Sequence, residues 1–296
     1  MSLPFRCAEA SADREETLVG TASTVRAFLL VENPGPWGVD AVTGSRLPVA
    51  VKRWLTAQGR RHGVRALLIR RHGRSTPAGP TVFAAYADAS APWVETTSLT
   101  DPLELLDMDL ATLGAGHSLG LKAHRDPLYL VCTHGRHDLC CAERGRPIAS
   151  ALTARQPDQT WEVSHIGGDR FAGNLLVLPH GLYYGRLAPD DAVRVAERHT
   201  TGLLDLDHLR GRCGYPFAVQ AAEIFLRRET RDTGIGALRL TGSTRTGDET
   251  TARFTGRTGE WQVKVQSSRS AAEQLTCRAA SPSPGTSHAL VRITAL

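Results

Sequence analysis

The run Leu128-Tyr129-Leu130-Val131, opened by Asp126-Pro127 and closed by Cys132, is the feature that most narrows what this chain can become. Four consecutive apolar residues behind a turn dipeptide predict a buried strand. A polar loop follows, then a helical stretch from about Leu139 to Ala154, then a second strand, Trp161-Glu162-Val163-Ser164-His165, broken by Gly167 and Gly168. Leu175 to Leu178 and Leu182 to Arg186 read as a hairpin around Pro179-His180-Gly181, and Asp190 to His199 as a helix. Strand, helix, strand, hairpin and helix in that order predict a thioredoxin-like α/β sandwich.

The preceding chain carries a similar order. Residues 26 to 31 read as a buried strand, broken by Glu32-Asn33-Pro34-Gly35-Pro36-Trp37-Gly38, where two prolines and two glycines forbid regular pairing. Leu47, Val51, Trp54 and Leu55 share one helical face, and Val64 to Ile69, Val82 to Ala87 and Trp93 to Leu99 read as strands. Asp101 and Pro102 open a short helix as cap and first residue. Beyond Cys213 comes a helix, Phe217 to Arg228. Strands follow at 237–240, 251–254, 261–265 and 289–293, with Ser281-Pro282-Ser283-Pro284-Gly285 as a loop before the last. We expect an N-terminal thioredoxin-like α/β domain over 1–124, a second thioredoxin-like domain over 125–212, and a helix plus β-rich extension over 213–296. The two α/β stretches invite comparison as a distant duplication, which the residues alone do not establish.

Composition excludes some classes of function. The 296 residues carry a formal charge of +5, and the nearest approach to a basic block is Arg70, Arg71 and Arg74. That argues against nucleic acid and leaves room for docking an acidic redox partner. The N-terminus, Met1-Ser2-Leu3-Pro4-Phe5-Arg6-Cys7, has no secretory pattern, and the apolar run Ala27 to Val31 is far too short to span a bilayer. The expectation is a cytoplasmic protein without membrane contact. Its six cysteines are then thiols or metal ligands rather than disulfides.

Chemistry concentrates in Val131-Cys132-Thr133-His134-Gly135-Arg136-His137-Asp138-Leu139-Cys140-Cys141. A strand end is rigid, and a loop running into a helix start turns the chain back so that Cys132 and Cys141 can approach one site. The helix start adds partial positive charge and free N–H groups, which favour thiolates. The second element, Ser164-His165-Ile166-Gly167-Gly168-Asp169-Arg170-Phe171-Ala172-Gly173-Asn174, presents His165 at a strand end, with glycines that let the backbone pass close to something bulky. Arg136, Asp138, Arg170 and Asn174 are candidate polar partners of such a site, or ordinary loop ion pairs. Cys7 and Cys277 read as incidental thiols.

VCTHGRHDLCCAERGRPIA followed by WEVSHIGGDRFAGNLLVLPHGLYYGRL resembles the sucrase/ferredoxin-like family, and LLVENPGPWG and GVRALLIRRHGR resemble its actinobacterial members, over roughly residues 5 to 230. The resemblance implies relatives of thioredoxin-like ferredoxins. Fungal members bind a [2Fe-2S] cluster through a cysteine, a second cysteine after eight intervening residues, and a later His-x-x-x-His. Carried over, Cys132 and Cys141 match the cysteine ligands and His165 the first histidine, while Asp169 stands where the second histidine is expected. A carboxylate is a harder ligand than imidazole. Three possibilities stay open: Asp169 ligates; Cys140, Cys213, His134 or His137 takes the fourth place; or the site is incomplete.

The function expected is electron transfer by a [2Fe-2S] cluster, with an unidentified reductase or oxidoreductase as redox partner, rather than a stand-alone enzyme. The alternative is a zinc-binding or metal-free module on the same fold, since mixed Cys, His and Asp ligands also suit zinc. A thiol oxidoreductase is weaker, because no Cys-x-x-Cys is present. Walker, dinucleotide and His-Glu-x-x-His motifs are absent too.

Overall fold

Every apolar run read as a strand forms one in this computed structural model, which describes residues 5–73 and 79–296. Met1 to Pro4 and Arg74 lie outside those residues. In chain order the elements are α1 (Cys7–Asp13), β1 (Ala27–Glu32), α2 (Val49–His62), β2 (Val64–Arg70), β3 (Thr81–Tyr86), β4 (Trp93–Ser98), α3 (Leu110–Gly114) and β5 (Lys122–Ala123). Next come β6 (Leu128–Cys132), α4 (Leu139–Arg155), β7 (Thr160–Val163), β8 (Leu175–Leu178), β9 (Leu182–Tyr184), α5 (Pro189–Thr200), β10 (Leu209–Arg212) and α6 (Phe217–Thr230). The chain ends in β11 (Leu238–Thr246), β12 (Glu249–Gly256), β13 (Gly259–Glu273) and β14 (Ser283–Ala295). The expected short helix after Asp101 is a 3-10 turn, Pro102–Asp107, closed by reciprocal Asp101 and Glu104 caps.

The fold is mixed α/β, with one ten-stranded sheet and a separate four-stranded antiparallel sheet. The large sheet runs β10-β9-β8-β6-β7-β2-β1-β3-β4-β5. Its order is a palindrome of two thioredoxin-like units. In each, the first strand pairs in parallel with the second and antiparallel with the third (β1 with β2 and β3, β6 with β7 and β8). The fourth strand then pairs with the third, and a further strand with the fourth. The units meet at an antiparallel seam where Ile69 faces Val163 and Arg70 faces Glu162. The two units thus repeat one pairing order, mirrored about the seam.

Alternation along the strands divides the core. Phe28, Leu30, Leu67, Ile69, Leu128, Leu130, Cys132, Trp161 and Val163 line a face that both units share. On the opposite face, α2 and α3 cover Leu29, Val31 and Leu68, while α4, α5 and α6 cover Tyr129, Val131 and Val177. The core under α6 runs on into Phe254, Val263 and Val265 of the small sheet.

Three expectations need correction. Residues 283–285 belong to β14 rather than to a loop, pairing with β13 through Ser283 to Glu273 and Pro284 to Ala272. β11, β13 and β14 run longer than their apolar cores, because Ser-, Thr- and Arg-rich ends continue the ladder on an exposed surface. β10 and α1 add to the expected elements: Leu209-Arg210-Gly211-Arg212 has no apolar alternation, and α1 is a short Ala- and Ser-rich helix.

Candidate metal centre

Cys132 ends β6, and residues 133–138 lead directly into α4. Asp138 caps the helix, its side chain accepting from the Cys140 N–H at 2.9 Å. The first turn of α4 returns Cys141 to Cys132 because Gly145 lets the helix press on the strand end. A Cβ built on Gly145 would lie 2.0 Å from the Cys132 carbonyl oxygen. Val163, paired with Cys132 in the parallel register, ends β7 and delivers His165 to the same edge. The sulfurs of Cys132 and Cys141 and a ring nitrogen of His165 all lie within 4.8 Å of one another. Both cysteines are buried.

Asp169 joins this group. His165 Nδ1 lies 2.8 Å from Asp169 Oδ1, and the Cys141 thiol donates to the same oxygen at 3.4 Å. His165 Nδ1 has no aligned hydrogen-bond partner, so a buried nitrogen is held beside a carboxylate without a well-directed bond. His137, His165 and Asp169 form a second compact group of donor atoms, and the His137 ring stacks on His165 at 3.8 Å between centroids.

The charges are ordered. The Cys141 S–H, outweighing burial with help from His165, holds the Cys132 thiol well below its ordinary value, and Cys141 keeps its own proton. Burial disfavours a charged His165, yet Asp169 and Cys132 push it up to about 9. Burial would raise the Asp169 carboxyl, but His165 brings it below its ordinary value. The resting arrangement therefore pairs a protonated imidazole with a thiolate and a carboxylate. A metal ion would displace those protons, since ligands bind in their deprotonated forms.

Distant strands hold the loop that carries His165. The Arg65 guanidinium donates to the carbonyls of His165 at 2.8 Å and Ile166 at 3.1 Å. Buried Arg210 donates to the Gly167 carbonyl at 2.9 Å and to Asn174 Oδ1 at 2.8 Å, and Asn174 in turn donates to the Gly168 carbonyl at 2.8 Å. The bulky group that Gly168 passes is this guanidinium: a Cβ there would lie 2.3 Å from an Arg210 nitrogen, and φ is +79°.

The other candidates fall into place around this edge. His134 is a wall residue: Nε2 donates to the Gly38 carbonyl at 2.7 Å, and Nδ1 accepts the His165 N–H at 3.3 Å. Arg136 is exposed beside His137. Arg170 turns away, pairing with Glu16 at 2.7 Å and covering the Phe171 ring. Cys213 sits under Gly181, its thiol pushed up to about 12 by burial, and joins no metal-capable group among the described residues. Cys140 faces away from Cys132 and Cys141, with its sulfur 3.5 Å from that of Cys277.

Residues 18–211 match the family described as Sucrase/ferredoxin-like. The chain belongs to that family. Altered inheritance of mitochondria protein 32 from Meyerozyma guilliermondii is 30% identical over 97 residues, covering 29% of this chain and 34% of its own length. The chain thus matches about a third of that curated relative. Among solved structures, two cysteine-to-serine variants of the thioredoxin-like [2Fe-2S] ferredoxin from Aquifex aeolicus are similar to this family member at 20% and 17% identity. Each likeness covers 28% of this chain and 97% of the ferredoxin, with TM-scores of 0.26 and 0.25. No helix among the described residues is long and apolar enough to cross a membrane.

Proposed function

We propose that the chain is an electron-transfer protein holding a [2Fe-2S] cluster on Cys132, Cys141, His165 and Asp169. The observation that carries this reading is the convergence of two buried cysteines and His165 within 4.8 Å at one sheet edge, with Asp169 against both Cys141 and His165. The donors fit the group in number and kind: two thiols, one imidazole and one carboxylate, with His137 as the neighbour that could replace Asp169. When bound, the cluster supplies a one-electron couple.

The chain's own residues do the rest. Cys132, the more acidic thiol, offers the first sulfur, while the Asp169 carboxylate accepts a hydrogen bond from the Cys141 thiol and balances the His165 charge. Arg65, Arg210 and Asn174 fix the His165 loop, so its ring is positioned before any ligand arrives. Thr133, Glu162 and buried Trp37 shut water out behind the site, leaving the His165 and His137 ring edges partly exposed as the face toward a partner. Arg136 beside that face, and Arg146 two turns into α4, favour an acidic redox protein. The six free thiols favour the cytoplasm.

A second reading, one zinc ion on the same donors, has a specific observation in its favour: Cys132, Cys141 and His165 are close enough to share a single ion. Absorption of protein purified without oxygen, with iron and acid-labile sulfide assayed on the same sample, separates the two. Two irons and two sulfides per chain, with visible bands that bleach on reduction, support the cluster. A colourless protein that takes up zinc, or nothing, after cluster reconstitution sinks it.

A further inference from the structure

We propose that Cys7, Cys140, Cys277 and Asp138 form a second, structural zinc site that clasps the two ends of the chain to the start of α4. In the sequence Cys7 and Cys277 read as incidental thiols, Cys140 as an alternative cluster ligand and Asp138 as a polar partner of that site, and the fold brings them together from three regions. Cys7 opens α1, Asp138 and Cys140 open α4, and Cys277 sits in the connection between β13 and β14. Their ligand atoms all lie within 4.8 Å of one another.

The spacing is that of a tetrahedron awaiting its centre. Zinc binds thiolate at about 2.3 Å and carboxylate at about 2.0–2.2 Å, which places sulfurs about 3.8 Å apart and sulfur from oxygen by about 3.5 Å. Here Cys277 Sγ is 3.5 Å from both Cys7 Sγ and Cys140 Sγ, and Cys7 Sγ is 3.6 Å from each Asp138 oxygen. The carboxylate is fixed in place by two backbone donors, the Cys277 N–H at 2.7 Å and the Cys140 N–H at 2.9 Å. Cys7, Asp138 and Cys140 are buried and Cys277 is half-buried. Four protein ligands leave no open position, the mark of a structural rather than a catalytic zinc. Three thiolates and one carboxylate are harder to reconcile with a disulfide, which would strand the third sulfur and the acid.

Adjacent residues on a helix point about 100° apart, and α4 uses that angle. Cys140 faces this cluster while Cys141 faces Cys132. Binding exchanges the ion's bound waters for three Zn–S bonds and one Zn–O bond, and the thiol protons leave to solvent with those waters, with no change of oxidation state.

The test is metal analysis of the full chain purified without oxygen and incubated with zinc, repeated with cobalt as a spectroscopic probe. We expect one zinc per chain that persists in Cys132→Ala, and cobalt bands of a tetrahedral thiolate site. Cys277→Ser should lose that zinc and leave the iron and sulfide content unchanged. Asp138→Asn, which keeps a helix-capping side chain, should weaken zinc binding at least tenfold. Because Cys132→Ala removes the other centre, failure there leaves this result standing, and the reverse also holds. No stoichiometric zinc in the Cys132→Ala protein, a zinc content indifferent to Cys277→Ser, or a Cys7–Cys277 or Cys140–Cys277 disulfide in the anaerobic protein would overturn the site.

Discussion

The two thioredoxin-like units share a topology and differ at one strand end. Glu32 closes β1 and pairs with Ile69; Cys132 closes β6 and pairs with Val163; and Ile69 faces Val163 across the seam. Glu32 is thus the counterpart of Cys132 in position. Even the next hydrogen bond is repeated, from the Asn33 N–H to the Ile69 carbonyl and from the Thr133 N–H to the Val163 carbonyl. The crossovers then diverge. Residues 133–138 suffice to reach α4, so its first turn lies over the strand end and supplies Cys141, whereas residues 33–48 intervene before α2. The longer loop is used as a wall: the Trp37 ring meets His134 edge-on at 5.7 Å, the Gly38 carbonyl accepts from His134, and the Val39 carbonyl lies 3.3 Å from His137 Nδ1. One copy of the fold gathers the candidate ligands and the other walls them in, and the length of one crossover decides which.

The largest break in this comparison is removal of a sulfur. Cys132→Ala or Cys141→Ala should abolish iron binding, measured as iron per chain after reconstitution. Glu32→Ala in the other unit should leave that number unchanged. Next comes the fourth position. Asp169→Ala should weaken metal retention by roughly 10–100-fold, the effect usual for a group that ligates or orients a ligand. Asp169→His should strengthen it, as followed by the rate of iron loss to a chelator. Equal rates in all three proteins would move the fourth ligand elsewhere.

Gly145→Ala tests the close approach of α4 to Cys132. Overpacking there should cost about 1–3 kcal/mol, read as a lower unfolding midpoint together with faster iron loss. The smallest effect concerns pH. His180 and His199, 3.1 Å apart in the binding unit, are held by burial down to about 4. Unfolding restores ordinary values near 6.5, so the unfolded chain takes up protons that the folded chain refuses. Their contribution is intact above about pH 6.5 and is lost as pH falls toward 4. Urea unfolding of His199→Gln should show a shallower loss of stability across that window than the parent; parallel curves would count against the assignment.

Cys132, Cys141 and His165 were legible because each sits at the junction of an apolar run and a turn, where local pattern fixes position. Asp169 was legible only through the family pattern. Arg65 and Arg210 were not, since each reaches the site from a strand of other pairing, and an arginine in VRALLIR or LRGR carries no sign of where its guanidinium ends. The Cys7 and Cys277 pairing was hidden for a related reason: 270 residues separate them, and only the β13–β14 connection brings them together. The shared pairing order of the two units is legible only in the strand order, since it depends on long-range pairing that no local residue pattern encodes.

The seam between β2 and β7 has one more consequence. Each unit's second strand is covered only by that of the other, over just two facing pairs reinforced by Arg70 on Glu162 at 2.6 Å. Cut apart, either half would expose that strand as an unpaired row of N–H and carbonyl groups beside apolar residues, the kind of border along which chains aggregate. Separating the two units at this seam is therefore expected to yield aggregating halves, as measured by light scattering of each half expressed alone. The unit that carries the cysteine pair and its twin cover each other's second strand at this seam.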